Sequence, residues 1–186
     1  MPRAGLTADR IVARAADLAD AGGYDSLSLA VLADELGVRV PSLYKHVGGL
    51  ADVQRRLAVA GVRGMGEALR DASVGVAGAD ALAALGRAYR DYARAHPGRY
   101  AAAQRAPGPG DDELVAASRP VYDVVGAVLR GYGLAGNDLV HATRAVRSAL
   151  HGFVALEAGG GYGLPQDVDE SFAVLLRMLD GALRTL

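Results

Sequence analysis

The segment Gly37–Val47, with the sequence GVRVPSLYKHV, gathers an unusual variety of polar side chains on a short stretch of chain. They are a guanidinium, a hydroxyl, a phenol, an ammonium and an imidazole, from Arg39, Ser42, Tyr44, Lys45 and His46. Lys45 is the only lysine of the protein. Groups of this kind hydrogen-bond to phosphate oxygens and to the edges of bases, so the segment predicts contact with nucleic acid.

Arg39 is the residue of this segment that local stability explains least. It precedes a predicted helix at the place where Ser, Thr, Asp or Asn would cap the first turn, an omission that costs roughly 1 kcal/mol. Its positive charge also opposes the helix dipole. A phosphate or a guanine edge would account for it. Pro41 lacks a donor that the first turn leaves unused, so it stiffens this helix without a lost hydrogen bond.

Each of these side chains also has a purely structural explanation. Tyr44 fits a half-buried aromatic residue whose hydroxyl reaches water, and His46 fits a residue that interacts with the last carbonyls of a helix. Any pair of helices joined by a glycine turn has the same spacing. Taken singly, each explanation is as good as nucleic-acid contact, but they account less well for the whole group.

Apolar periodicity predicts two helices before this segment. The first starts at Thr7 and stops at Gly22, and the second is capped by Ser28 and interrupted at Gly37. The third helix, Val40–His46, is too short to be stable alone in water.

Leu43 and Val47 are therefore expected to hold the third helix against the second. Two short helices joined by a tight glycine turn form a helix-turn-helix, whose second helix enters the major groove of DNA.

The stretch LTADRIVARAADLADAGGYDSLSLAVLADELGVRVPSLYKHVGGLADV, from Leu6 to about Val53, resembles the DNA-binding domain of the TetR family of transcriptional regulators. Its most specific parts are GGYDSLSL, LADELGV and LYKHV. The resemblance implies that Ser28, Tyr44 and His46 bind backbone phosphates. It implies a second group that faces the groove, namely Arg39, Val40, Pro41, Ser42 and Lys45.

Three positions depart from the family pattern. A serine or threonine usually stands where Arg39 is, an aromatic residue where Val47 is, and a phosphate-binding lysine where Leu50 is. The resemblance further implies a homodimer that represses transcription from a palindromic operator until a small-molecule effector binds the C-terminal helices.

Helical periodicity continues after residue 50, and no segment alternates like a strand. Asp52 lies near the start of a helix that links the two parts of the chain. The remaining predicted helices are about 82–96, 111–132 with an interruption at Pro120, 138–157 and 167–183. We therefore expect an all-α fold of about nine helices, with a DNA-binding domain at 1–50, a linking helix at 50–72 and a ligand-binding and dimerisation domain at 73–186.

The C-terminal part resembles a domain of one TetR subgroup that is named for a Trp, a His and a Gly. The matching segments are YRDYARAHPGRY and RAVRSALHGFVALEAGG, in which His151 and Gly152 fit the last two positions, although the chain has no Trp. The resemblance implies that the last two helices pair with their copies in a four-helix interface.

Two sets of residues are candidates in this domain. The candidate ligand pocket is aromatic, comprising Tyr89, Tyr92, His96, Tyr100, Tyr122 and Phe153. The candidate dimer interface lies on the apolar last two helices, comprising Val146, Leu150, Phe172, Leu175, Leu176 and Leu179. For both sets the alternative is ordinary core packing.

Composition limits the other classes of function. The 186 residues are 51% hydrophobic, have a net charge of −1 and include no cysteine, and no apolar run is long enough for a membrane span. The opening residues lack the apolar centre of a signal peptide, so a cytoplasmic protein without a membrane partner is expected. The four histidines are dispersed and no GxSxG motif occurs, so neither an enzyme nor a bound metal or cofactor is expected.

One alternative function stays open. Residues 1–70 contain nine Arg or Lys and eight Asp or Glu, a net charge of only +1, and Leu50 replaces a phosphate-binding lysine. The protein could then be a helical ligand-binding or protein-interaction module with weak or lost DNA reading.

Overall fold

The computed structural model describes residues 5–186, in which all regular secondary structure is helical. The nine α-helices of this part of the chain are α1 (Ala8–Gly22), α2 (Leu29–Glu35), α3 (Val40–Leu43), α4 (Leu50–Ser73), α5 (Gly78–Ala95), α6 (Pro97–Ala103), α7 (Asp112–Arg130), α8 (Gly136–Ala158) and α9 (Val168–Leu183). A short 3-10 helix, Tyr24–Ser26, joins α1 and α2. The predicted all-α fold of about nine helices is confirmed. None of the helices in residues 5–186 combines the length and the apolar character that a membrane-spanning helix needs.

The helices form two compact units. The first contains residues up to Gly64 together with Ala95–Ser118, and the second contains Met65–Arg94 together with Arg119–Leu186. Helices α4 and α7 each begin in the first unit and end in the second. The division at residue 50 that the sequence predicts concerns function rather than packing, and it stays a prediction.

In the first unit, α6 packs unusually close to α1. A Cβ atom on Gly98 would lie 2.1 Å from the carbonyl carbon of Ala19, so only glycine fits at this crossing. The first turn of α6 has no cap from its own residues, and Asp20 of α1 supplies one: its Oδ1 accepts the backbone N–H of Arg99 at 2.9 Å. The side chain of Arg99 pairs with Asp20 and Asp17, both at 3.0 Å.

Three helices differ from the sequence-based expectation. Helix α3 ends at Leu43 rather than at His46, and the chain continues through a turn. The predicted helix 82–96 ends before Pro97, and Pro97 also begins α6, where its missing N–H belongs to the unbonded first turn. Helix α7 continues through Pro120 without a break. The carbonyl that loses its partner there belongs to the exposed Ala116, which water can reach.

The second unit has a charged group in its core. Arg90 of α5 is only 5% exposed, and its guanidinium binds Glu157 of α8 at 2.5 Å and Asp169 of α9 at 2.7 Å. It also lies 4.7 Å from the centre of the Phe172 ring. The arginine thus joins three helices through two carboxylates and an aromatic face.

The candidate dimer interface needs a correction. Val146, Leu150, Phe172 and Leu176 are buried within the single chain, where they pack in the core of the second unit. They cannot also form a surface for a second copy. Leu175 and Leu179 are half-buried. The periodicity identified the apolar stripe of each helix correctly, but this stripe covers the protein's own core.

A cavity of about 290 Å³ lies in the second unit between the end of α4, the start of α5 and α7. Most of its lining is apolar, and Arg70 and Ser73 are its two polar side chains. None of the six candidate pocket residues lines this cavity.

Candidate nucleic-acid interface

The turn between α2 and α3 is built around Gly37. This glycine has φ = 65°, a conformation that other residues adopt at a cost. Its N–H donates to the carbonyl of Asp34 at 2.9 Å, and the N–H of Val38 donates to the carbonyl of Ala33 at 2.9 Å. This pair of bonds is the Schellman ending of a helix. It turns the chain sharply enough for α3 to pack against α2 as a helix-turn-helix requires.

Helix α3 starts at Arg39 without a side-chain cap. The backbone of Arg39 is extended, with φ = −86° and ψ = 146°, and its carbonyl accepts the N–H of Ser42 at 2.8 Å. Its guanidinium is exposed and has no ion-pair or hydrogen-bond partner among residues 5–186. The side chain therefore stabilises nothing that the structure describes.

Two buried side chains hold this short helix. Leu43 is fully buried and Val47 is 4% exposed, as the sequence predicts for the face toward α2. The carbonyl of Leu43 accepts the N–H groups of His46 at 2.9 Å and Val47 at 3.0 Å, which continues the helical turn past the end of α3. We call Arg39–Val47 the recognition segment. Because Val47 is core, an aromatic residue is not needed there to keep the segment folded.

The polar side chains of the recognition segment point away from this core. Tyr44 is 60% exposed, and Lys45 and His46 are also exposed. One edge of the Tyr44 ring approaches Gly49, since a Cβ atom there would lie 3.8 Å from Cε1. The ring is thereby supported at its side while its hydroxyl remains free of any partner in the described part of the chain.

Ser28 is the cap of α2, as predicted. Its Oγ accepts the backbone N–H of Val31 at 3.2 Å. A hydroxyl has one hydrogen and two lone pairs, so the capping bond leaves its hydrogen available to an outside acceptor. The other candidate residues are Val40 and Ser42, which are half-buried, and Pro41, which is exposed.

The charges around the recognition segment are locally positive. Residues 36–51 include Arg39 and Lys45 and no acidic residue. In the sequence, the acidic residues that flank this stretch are Glu35 and Asp52. Glu35 pairs with Arg14, and the oxygens of Asp52 lie 3.0 and 3.1 Å from Nε of Arg56. Pairing reduces the field that these carboxylates exert on the two cations.

Asp52 has a role that the sequence did not reveal. Its Oδ2 accepts the backbone N–H of Gly48 at 3.0 Å, which fixes the turn between the recognition segment and α4. This bond is the main cause that lowers the pKa of Asp52, and the Arg56 guanidinium lowers it further. The signal was the spacing of the two residues, which is that of a carboxylate reaching back to the turn before its helix.

The six candidate pocket residues are divided between the units. Tyr89, Tyr92 and Phe153 are buried in the second unit, where Tyr122 is 55% exposed. The other two, His96 and Tyr100, belong to the first unit.

His96 lies in the ion cluster that joins α1 and α6. Its Nδ1 is 2.9 Å from Nη1 of Arg99 and 3.4 Å from Oδ2 of Asp20. This cluster gives His96 a structural role in the first unit. A common ligand pocket of the six residues stays a prediction.

Comparison with known proteins shows which family and which regulators this chain is similar to. Residues 82–179, more than half of the chain, match the family model described as "Tetracyclin repressor-like, C-terminal domain". The chain is 42% identical over 156 residues to the uncharacterised HTH-type transcriptional regulator Rv0681 of Mycobacterium tuberculosis, an alignment that covers 83% of this chain and 72% of the relative. It is 37% identical over 184 residues to the uncharacterised HTH-type transcriptional regulator YobS of Bacillus subtilis, covering 98% and 95% of the two chains.

A solved structure confirms the fold. The TetR family protein ActR of Streptomyces coelicolor, crystallised in complex with (S)-DNPA, superposes with a TM-score of 0.66 at 23% identity over 98% of both chains. The relatives named here are regulators of transcription and not enzymes. Together with the helix-turn-helix and the match to the C-terminal domain, these similarities show that the chain belongs to the TetR family of transcriptional regulators.

Proposed function

We propose that this regulator is a repressor that binds a palindromic DNA operator as a homodimer and is released by a small molecule. One observation supports DNA reading above all. The recognition segment presents Arg39, Tyr44, Lys45 and His46 to the outside without partners among residues 5–186, while Leu43 and Val47 hold it from behind. Unpaired cations on a well-held helix suit a polyanion.

The proposed contacts fall into two groups. Ser28, Tyr44 and His46 bind backbone phosphates and set the position of the protein on the duplex. The groove-facing residues, which read the base edges, are Arg39, Val40, Pro41, Ser42 and Lys45. Because the positive charge is confined to a few side chains, affinity depends on placed contacts, and binding to random DNA is weak.

Selection of bound genomic fragments with the full-length protein tests this function. We expect a palindromic motif whose half-sites are separated by about 34 to 36 Å, the distance between successive major grooves on one face of the duplex. Recovery of no motif would favour the alternative, a helical module that binds ligands or proteins but has lost DNA reading.

The proposed dimer uses the last two helices, on the side away from their buried stripes. Large apolar side chains are exposed outside these stripes: Val174 and Met178 lie opposite the stripe of α9, and Val140 and Leu156 lie near the two ends of α8. Such a surface gains free energy when a second copy covers it. We further propose that the repressor acts in the cytoplasm, in the same compartment as the DNA that it binds.

The proposed effector binds in the second unit. Support comes from the family, since ActR was crystallised with a small molecule, and from the largely apolar cavity beside Arg70 and Ser73. Release of DNA requires that the effector bind more tightly to the arrangement that does not fit the operator.

A thermal-unfolding screen against a metabolite library tests this proposal. A ligand at about 100 times its Kd stabilises its protein by about 2.7 kcal/mol. An effector must then also weaken operator binding, and a stabilising compound that leaves operator affinity unchanged is not the effector.

A further inference from the structure

A chain of ion pairs in the first unit connects the start of α7 with the recognition segment. Its central member is Arg55, on the second turn of α4. Nη1 of Arg55 lies 2.9 Å from Oε2 of Glu113 and 3.4 Å from Oδ1 of Asp111, and its Nη2 lies 3.6 Å from Oδ1 of Asp52. The guanidinium thus joins three carboxylates from two helices that are far apart in sequence.

The carboxylates at the two ends of this series of ion pairs also accept hydrogen bonds from backbone N–H groups. At one end, Asp52 accepts the N–H of Gly48, two residues after His46. At the other, Asp111 caps α7, where its Oδ1 accepts the N–H of Leu114 at 3.4 Å. A displacement of the first turn of α7 would therefore change the contacts of Arg55, and through Asp52 the turn that ends the recognition segment.

The burial of these groups makes the connection effective. The side chain of Asp111 is 9% exposed, that of Asp52 is 21% exposed and that of Arg55 is 29% exposed. Isolated ion pairs at a surface contribute little because water screens them. Asp52 and Asp111 are partly buried and each also accepts a backbone N–H, which gives their contacts with Arg55 a defined geometry, whereas the side chain of Glu113 is 49% exposed and holds Arg55 from the outside. Helix α7 continues to Arg130, inside the second unit.

We propose that Arg55 is a positioning residue for DNA reading, which couples the start of α7 to the recognition segment through Glu113, Asp111 and Asp52. Arg55 itself makes no contact with DNA in this role. The proposal rests on the proposed function, because its consequence is a change in operator affinity. It goes further, since it names the contacts through which a movement of α7 reaches the DNA-binding residues.

Removal of a negative charge separates this proposal from simple electrostatics. Glu113→Gln makes the protein less negative, so unspecific attraction alone would strengthen DNA binding. If Glu113 positions Arg55, the same change weakens binding to the selected operator duplex by about three- to tenfold. Asp112→Asn is the matched control, since Asp112 is an exposed neighbour with the same charge and no side-chain partner among the described residues.

The full-length variants are measured by fluorescence anisotropy with the duplex that wild-type protein selects, over a series of KCl concentrations. Arg55→Gln, which also removes the contacts with Asp111 and Asp52, should weaken binding at least as much as Glu113→Gln does. The double variant should lose less affinity than the sum of the two single losses, because both changes break the Arg55–Glu113 contact. Arg55→Lys should restore most of the affinity. Arg119→Gln, at an exposed arginine of α7 without a described partner, controls for the lost positive charge.

The salt dependence decides whether Arg55 touches DNA. Loss of a phosphate contact reduces the magnitude of the negative slope of log K against log salt by about 0.9. Loss of a positioning residue leaves this slope unchanged. A lowered slope for Arg55→Gln would overturn the proposal. So would a thermal-unfolding midpoint that falls while the folded protein binds the operator as before, which is the behaviour of a merely structural residue.

The test also distinguishes this inference from the proposed function. If wild-type protein selects no duplex, the proposed function fails and this inference fails with it. If wild-type protein binds its operator, and Glu113→Gln binds it as well as Asp112→Asn does, only the coupling through Arg55 is wrong.

Discussion

At the scale of single residues, the recognition segment separates residues that fold the protein from residues that are free to bind. Leu43 and Val47 are buried and Arg39 is exposed without a partner among residues 5–186. An exposed arginine at the first turn of a helix is slightly unfavourable for that helix. Neither helix stability nor a described partner accounts for Arg39, whereas the proposed contact with DNA would.

Replacing Arg39 by Ala should weaken operator binding without loss of stability. We expect a decrease in affinity of about 1 to 3 kcal/mol, the range for a base-edge contact, and an unchanged or slightly higher thermal midpoint. Anisotropy titration and thermal unfolding measure the two quantities. Arg87→Ala is the control, because Arg87 is an exposed arginine of α5 with no described partner, and it should bind like wild type.

Sequence reasoning worked well for residues whose role is local. The caps Thr7 and Ser28 and the buried Leu43 follow from neighbours within one helical turn. The partners of Arg55 could not be predicted in this way, because Glu113 lies 58 residues further along the chain. Nothing in the local pattern of either residue indicates which of the many opposite charges it will meet.

At the scale of elements, helix existence was easier to predict than helix ends. The strongly periodic segments became α1, α4, α5, α8 and α9. The sequence does not predict helix α6, because Pro97 is a signal for the end of a helix, although proline suits the first turn of a helix equally well. Its stability comes from Asp20 and from close packing on α1, both of which depend on tertiary structure.

The α1–α6 crossing should not tolerate a side chain at Gly98. Its Cβ atom would overlap backbone atoms of Ala19, which cannot move as a flexible side chain does. We expect Gly98→Ala to destabilise the protein by about 1 to 3 kcal/mol, measured by denaturant unfolding. Gly181→Ala is the control with the opposite expectation, since a Cβ atom on Gly181 of α9 would meet no side chain or neighbouring element within 4 Å, and alanine favours helix by about 1 kcal/mol. Equal stability of the two variants would show that α1 and α6 separate easily.

At the scale of the whole molecule, acid should weaken the core of the second unit. Hydrogen bonds from Arg90, with a smaller contribution from Arg94, lower the pKa of Glu157 from 4.5 to about 2. Because the folded pKa lies below the unfolded one, the stabilisation is complete above about pH 5 and is lost as the pH falls toward 2. The loss is on the order of 3 kcal/mol.

Glu157→Gln isolates this contribution. The variant should be less stable than wild type at neutral pH, because Arg90 loses a charged partner in the core. The difference in unfolding free energy between the two proteins should shrink between about pH 5 and pH 2, as wild type becomes protonated. A difference that stays constant over this range would mean that Arg90 and Glu157 do not pair in solution.

The proposed homodimer depends on the apolar side chains that the last two helices expose. Met178 is 67% exposed and Val174, one turn earlier on α9, is 43% exposed. If a second copy covers them, Met178→Glu buries an unpaired charge in the interface and should convert the dimer to monomer in sedimentation. Operator affinity should then fall, because each copy binds its half-site alone and the gain from joining two sites is lost. Val115→Glu, at a 55% exposed valine of α7, introduces the same charge and should leave the dimer intact. A Met178→Glu protein that remains dimeric would place the interface on another surface.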